Sequence, residues 1–209
     1  PTGRLSAREI AARLDGHPWA ELVQVLDSVD STNNLAKTLA AQGAPAGTVI
    51  VADSQTGGRG RMGRSFVSPP GVGVYLSVIL RPEAPPEELM HLTCAVAEVL
   101  CDGIEVASGL RPGIKWTNDL VLEGRKLCGI LTELGMEGES ARLQYAAVGI
   151  GVNVSQQAGD FGPVAAPVAI SLAQALGKAP RRTDLAAALL RALDRMYREF
   201  PTQRDSWYE

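Results

Sequence analysis

No stretch of this 209-residue chain is apolar for long enough to cross a bilayer. No signal peptide is evident at the N-terminus, so an exported or membrane-embedded role is not expected. Cysteine is scarce. Cys94, Cys101 and Cys128 are an odd number without a tight framework, which excludes a disulfide scaffold. Excess positive charge is lacking as well: the net charge is -3, so no global basic field grips nucleic acid. A local basic site remains open. There is no internal repeat and no low-complexity tract. What is present is ordinary for one well-packed domain: 45% hydrophobic and 21% charged residues.

Periodicity divides the chain. Residues 5–14 carry apolar positions at helical spacing behind Ser6, an N-cap. A single such helix is too little for a helix-turn-helix DNA reader. Residues 23–29 read as a strand. Ser31 and Thr32 then offer N-caps to a helix whose stripe is Leu35, Ala36, Leu39 and Ala40, closed by Gly43. Strands are predicted at 48–52 and 73–80, followed by a loop at Pro82, Pro85 and Pro86. A helix is predicted over 87–101, with Cys94 and Cys101 on one face as small core residues. Strands follow at 114–116, 121–122, 127–134 and 143–150. Asn118-Asp119 is read as a turn and Glu123-Gly124 as a hairpin tip. Residues 156–168 read as loop, and 171–177 and 184–200 as helices. Consecutive strands with helices at both ends predict an α+β fold with a mixed, mostly antiparallel sheet packed with helices.

Four segments carry chemistry. Residues 55–64 hold four glycines and three arginines in ten positions. Glycine lets backbone N–H groups approach a ligand, and arginine offers a fork matched to phosphate and carboxylate. Such a loop is costly to order, so it is expected to be mobile until a ligand arrives. By itself it also suits an arginine–glycine contact to single-stranded nucleic acid. Lys115-Trp116-Thr117-Asn118-Asp119 closes a short strand with hard oxygen donors able to hold Mg2+ beside a phosphate; it also fits an ordinary turn. Arg125-Lys126-Leu127-Cys128-Gly129-Ile130 enters a strand, where Lys126 is either a snorkelling surface residue or a charge aimed at a site. Gly149-Ile150-Gly151-Val152-Asn153 has the wrong spacing for a dinucleotide fingerprint, which disfavours an oxidoreductase.

In this order and spacing, Ser31-Thr32-Asn33, Gly58 to Arg64, Lys115 to Asp119, Arg125 to Ile130 and Gly149 to Asn153 resemble the motif series of the biotin–protein ligase family, over about residues 25–200. The resemblance implies the biotin/lipoate protein ligase catalytic-domain fold, which is class II synthetase-like. It implies activation of biotin by ATP to biotinyl-AMP, then transfer to a lysine of a biotin carboxyl carrier protein of acetyl-CoA carboxylase or a related carboxylase. It assigns biotin contacts to Ser31, Thr32, Asn33, Gln55, Arg59, Gly60, Arg61, Lys126 and Gly129. ATP contacts fall to Arg64, Phe66, Lys115, Asn118 and Asn153, and Mg2+ to Asp119. Lys126, Arg61 and Arg64 are the implied catalytic residues. Phe66 stands where the family commonly has a tryptophan against adenine, and Thr117 where it commonly has proline.

The chain is read as a single catalytic domain over residues 1–209. It has no room for the N-terminal DNA-binding domain of some members, so no nucleic-acid role is expected. A C-terminal SH3-like barrel is expected to be absent or truncated. A cytoplasmic location is the expected default and suits an enzyme that needs ATP, and without a long apolar run no membrane association is expected. Oligomeric state is left open, a homodimer included. The rival of the same fold is a lipoate–protein ligase or octanoyl transferase. The polar Ser31, Thr32, Asn33 and Gln55 set disfavours it, because it suits a ureido ring better than a plain acyl tail.

Overall fold

Two-residue alternation along the strands decides the architecture. The computed structural model describes residues 3–84, 89, 91–116, 118–138 and 142–200. Its seven strands are β1 (Val23–Val29), β2 (Val49–Gln55), β3 (Gly73–Leu80), β4 (Gly113–Lys115), β5 (Asp119–Leu122), β6 (Arg125–Glu137) and β7 (Arg142–Asn153). They form one sheet in the order β1-β2-β3-β7-β6-β5-β4. β1 and β2 are parallel, joined by the crossover helix α2 (Thr32–Ala41). The other neighbouring pairs are antiparallel, so the expected mixed, mostly antiparallel α+β sheet is what forms.

On one face, Val74, Leu76, Val78 and Leu80 of β3 lie with Ala146, Val148, Ile150 and Val152 of β7. Helices α1 (Ala7–Arg13), α3 (Leu92–Ser108) and α6 (Arg182–Glu199) pack into that core. The opposite face is covered only in part. There α2 lays Ala36 and Ala40 on Ile50, Ile79 and Ala147. Past the start of α2 the second face of β6 and β7 is nearly bare: Gly129 pairs with Gly151, and Leu131 with Gly149. That bare ground positions the site.

Two shorter helices, α4 (Gly162–Ala165) and α5 (Leu172–Leu176), follow the last strand. Several of the local signals read from sequence are in place, although Ser31, the N-cap residue of α2, makes no side-chain capping bond. Ser6 Oγ accepts from the Glu9 N–H, and Ser171 and Gln174 form a capping box. Glu123 and Gly124 both have positive φ, 51° and 73°, as a tight hairpin tip requires. Several boundaries differ from expectation. β2 runs on to Gln55 because β1 continues beside it, with Ser28 opposite Ser54 and Val29 opposite Gln55. β7 runs on to Asn153, held by pairing with Gly73 to Tyr75. Asp119 opens β5 rather than sitting in a turn. α3 continues to Ser108 and stops at Gly109 in the left-handed region. The expected start of that helix at Glu87, the loop prolines Pro85 and Pro86, and Thr117 lie outside the described residues. The loop at 156–168 contains a 3-10 turn as well as α4.

The three cysteines are free, as expected. Burial pushes the Cys101 thiol up to about 12, so it is inert at neutral pH. Among the described residues, no helix is long and apolar enough to cross a membrane.

Candidate active site

Two adjoining chambers open on the glycine-paved part of the sheet. The first, a slot, is lined on one side by Ser31, Thr32, Asn33 and Gln55. Its floor is Gly129, Gly149 and Gly151, and Arg59, Gly60, Arg61 and Phe66 close over it. The second chamber is lined by Met62, Arg64, Ser65 and Asp119. Gly60, Arg61, Phe66, Asn118 and Lys126 line both.

The floor depends on the absence of side chains. A Cβ at Gly151 would lie 2.5 Å from the Phe66 ring, and one at Gly149 would lie 2.4 Å from Asn33 Oδ1. At Gly129 it would come within 3.1 Å of Lys126 Cε. Phe66 therefore rests on bare backbone, edge-on to Tyr75 with ring centroids 6.4 Å apart. The Lys126 ammonium stands 5.7 Å over its ring.

The walls are a hydrogen-bonded relay rather than a row of free donors. Gln55 Oε1 accepts from the Thr32 N–H (2.9 Å) and from Thr32 Oγ1 (3.2 Å), while its amide donates to Ser68. Ser77, buried under the wall, donates to Thr32 Oγ1 at 2.8 Å or to Asn33 Oδ1 at 2.6 Å. Asn33 Nδ2 donates to the Leu131 carbonyl and to Glu133. Thr32 and Asn33 thus use much of their polar capacity holding the wall in shape. Ser31 differs. It is 1% exposed, makes no capping bond to α2 and lines the slot.

The arginine–glycine segment is folded back as a narrow ribbon. Phe66 N–H donates to Gly58 C=O, and Gly60 N–H to Arg64 C=O. Gly58 is required because a Cβ there would meet the Phe66 carbonyl at 2.2 Å. The tip turns at Met62 and Gly63, both with positive φ, and leaves Met62 90% exposed. Arg61 donates to Asn118 Oδ1 at 3.2 Å, tying the ribbon to the start of β5.

Lys126 sits where the chambers meet, its Nζ 2.8 Å from Asp119 Oδ1. Its backbone is clamped: N–H to Val168 C=O, and C=O from Ile170 N–H. Asn153 completes the clamp, donating to the carbonyls of Lys126 and Ile170 and accepting from Gln156. The sequence expectation put Asn153 beside a nucleotide base. In the structure it is 4% exposed, is not among the residues lining the two chambers, and its amide holds the lysine's strand. Lys115 also lines neither chamber; it is exposed on β4, the edge strand. Phe66, expected on the nucleotide side alone, borders both. The remaining expected residues converge here.

Sequence reasoning missed Glu133, Lys37 and Ser77. Gly149 and Gly151 were noticed as a motif without a role; two-residue alternation opposite Gly129 was the available signal. Among the described residues, no group of three or more His, Cys, Asp or Glu converges as a metal cage.

Comparison with known proteins agrees with this geometry. The family model described as Biotin/lipoate A/B protein ligase family matches residues 25–153. The chain is 40% identical over 200 residues to the bifunctional ligase/repressor BirA of Bacillus subtilis, covering 96% of this chain and 61% of that protein. It is 33% identical over 184 residues to the biotin–[acetyl-CoA-carboxylase] ligase of Mycobacterium tuberculosis, covering 86% and 65%. The chain thus spans about three-fifths of the length of such curated relatives. A solved biotin protein ligase from Aquifex aeolicus, in complex with biotin and ATP, superposes with a TM-score of 0.71 at 29% identity, covering 87% of this chain and 72% of that one.

Proposed function

Because the chain belongs to the biotin/lipoate A/B protein ligase family, we propose that it carries the catalytic part of a biotin–protein ligase. It activates biotin with ATP as biotinyl-AMP, releasing pyrophosphate, and passes the biotinyl group to a lysine amine. The observation that carries this reading is that a glycine-floored slot with an uncharged wall of Ser31, Thr32, Asn33 and Gln55 and an arginine-lined chamber share Lys126, Arg61 and Phe66.

Biotin's ureido ring is neutral, with N–H donors and one carbonyl. It belongs among Ser31, Thr32, Asn33 and Gln55, which add no charge. Its carboxylate tail reaches toward Lys126 at the junction, and the triphosphate occupies the chamber of Arg61 and Arg64. The chemistry joins two anions. Unit charges 4 Å apart repel by roughly 4 kcal/mol at an effective dielectric near 20, so fixed cations at the junction are what the barrier requires. Lys126 suits the boundary because its Nζ is held there by Asp119 and its backbone cannot shift. Little covalent chemistry by the protein is needed beyond positioning.

Asp119 is the one carboxylate among the described residues lining the second chamber. A single carboxylate fits Mg2+, which takes most of its ligands from phosphate and water. Mg2+ would shield the leaving pyrophosphate. In the second half-reaction Lys126 remains beside the anhydride carbonyl, and the ribbon shields it from water.

The relatives' names point to the biotin carboxyl carrier of acetyl-CoA carboxylase as acceptor. The ligase activity is the one proposed for this chain, since the slot and chamber lie within it. Need for ATP favours the cytoplasm. Wild-type protein is expected to release pyrophosphate only when biotin and ATP are both present, without any acceptor; release driven equally by lipoate or octanoate would favour the other members of the family.

A further inference from the structure

Glu133 lines neither chamber, yet both of its carboxylate oxygens are engaged beside the site. It lies on β6 opposite Ala147, on the same sheet face as Gly129 and Leu131. Its Oε1 is 2.9 Å from Lys37 Nζ and 3.0 Å from Arg59 Nη1. Its Oε2 accepts from Asn33 Nδ2 at 3.0 Å and from Arg59 at 3.2 Å. Arg59 also donates to Asn34 Oδ1 at 2.9 Å. The partners come from two sources: Lys37, Asn33 and Asn34 from α2, and Arg59 from the ribbon.

We infer that Glu133 is a positioning residue that latches the arginine–glycine ribbon over the slot through Arg59, and so sets how long a ligand is retained. An exposed ion pair would contribute little. This carboxylate is 20% exposed in its side chain, and both its oxygens are engaged. The two cations differ in kind. Lys37 rides on a helix packed against the sheet and keeps Glu133 charged when Arg59 is away. Arg59 rides on a glycine-rich ribbon, so it is the partner that can leave. The docking point is thereby preformed. The same carboxylate orients the Asn33 amide, which keeps Asn33 Oδ1 toward Ser77. One group therefore links the ribbon to the slot wall.

The inference rests on the ligase reading for the identity of the ligand, and its test separates the two. Glu133→Gln keeps the shape and removes the charge; Arg59→Ala removes the other half. Each is expected to speed biotin release, followed by stopped-flow, by about tenfold, the scale of a charge-assisted hydrogen bond. Each should also speed tryptic nicking after Arg61 and Arg64 in ligand-free protein. The double variant should match the single variants, because both break one contact. Multiplicative effects in the double variant, or Glu133→Gln nicked at the wild-type rate, would overturn the latch. If Glu133→Gln does not fold, Arg59→Ala alone decides it: nicking at the wild-type rate rejects the latch. Wild-type protein that binds no biotin, with or without ATP, would end the ligase reading, and nicking would still judge the latch.

Discussion

The same strands present two unlike faces. Toward α1, α3 and α6, β3 and β7 show Val74, Leu76, Val78 and Leu80 beside Ala146, Val148, Ile150 and Val152, all sealed from solvent. Turned over, β6 and β7 show Gly129, Gly149 and Gly151, with Ser77 and Glu133 nearby. One face gains stability from side-chain volume, the other gains a ligand slot from its absence. A change that is harmless on one face is therefore expected to be damaging on the other.

The largest effect should come from emptying the closed face. Leu100 is fully buried on α3, and Leu100→Ala is expected to lose 2–5 kcal/mol, at about the scale of cavity-forming core changes. Urea denaturation measures it, and biotin affinity well below the transition should stay within about twofold if the faces are separable. Next is Lys126→Ala. It should cut biotin- and ATP-dependent pyrophosphate release by at least ~100-fold, the scale of losing a transition-state donor. Its melting temperature should hardly move, because Lys126 is 35% exposed in its side chain. Wild-type single-turnover rates would remove Lys126 from the chemistry.

Gly151→Ala tests the opposite operation, adding one methyl to the bare face. The Phe66 ring must give way, and the expected loss is about 1–3 kcal/mol, read as weaker biotin binding in calorimetry. Unchanged affinity would mean that the ring is not part of the slot.

The smallest effect is acidification. Burial pushes the Glu133 carboxyl up, but hydrogen bonds from Lys37 and Asn33 and the charges of Lys37 and Arg59 outweigh it and hold the group below its ordinary value. A lowered carboxylate contributes fully above its unfolded value, about 4.3, and its contribution fades as pH falls through the folded one. Lys37 and Arg59 stay charged throughout. Biotin retention should therefore be flat from pH 7 to about 5 and weaken only in stronger acid. A midpoint near pH 6 to 7 would assign control of the ribbon to some other group.

The closed face was readable in sequence because its strands are rich in β-branched residues; 23–29 and 73–80 were bounded correctly from pattern alone. The open face was harder. Glycine carries no periodic signal, so β7 was expected to end at Ile150, although pairing with β3 carries it to Asn153. The arginine–glycine ribbon was legible in composition, but its fold depends on Gly58 lying against Phe66. Glu133 gave no local cue. It becomes special only when register and crossover bring α2 and the ribbon above it. Asn153 was legible as a polar residue closing a glycine motif, but its fastening of the strand of Lys126 is set by tertiary structure.

A floor of glycines can be varied in one direction only. Nothing smaller exists, so substitution there can shrink the compartment but never enlarge it. Selection or engineering for a bulkier vitamin analogue must work from the ceiling and sides instead, trimming Phe66 or rebuilding the turn at Ser31. Tolerance of oversized cargo should accordingly map to those positions, with the paving left untouched.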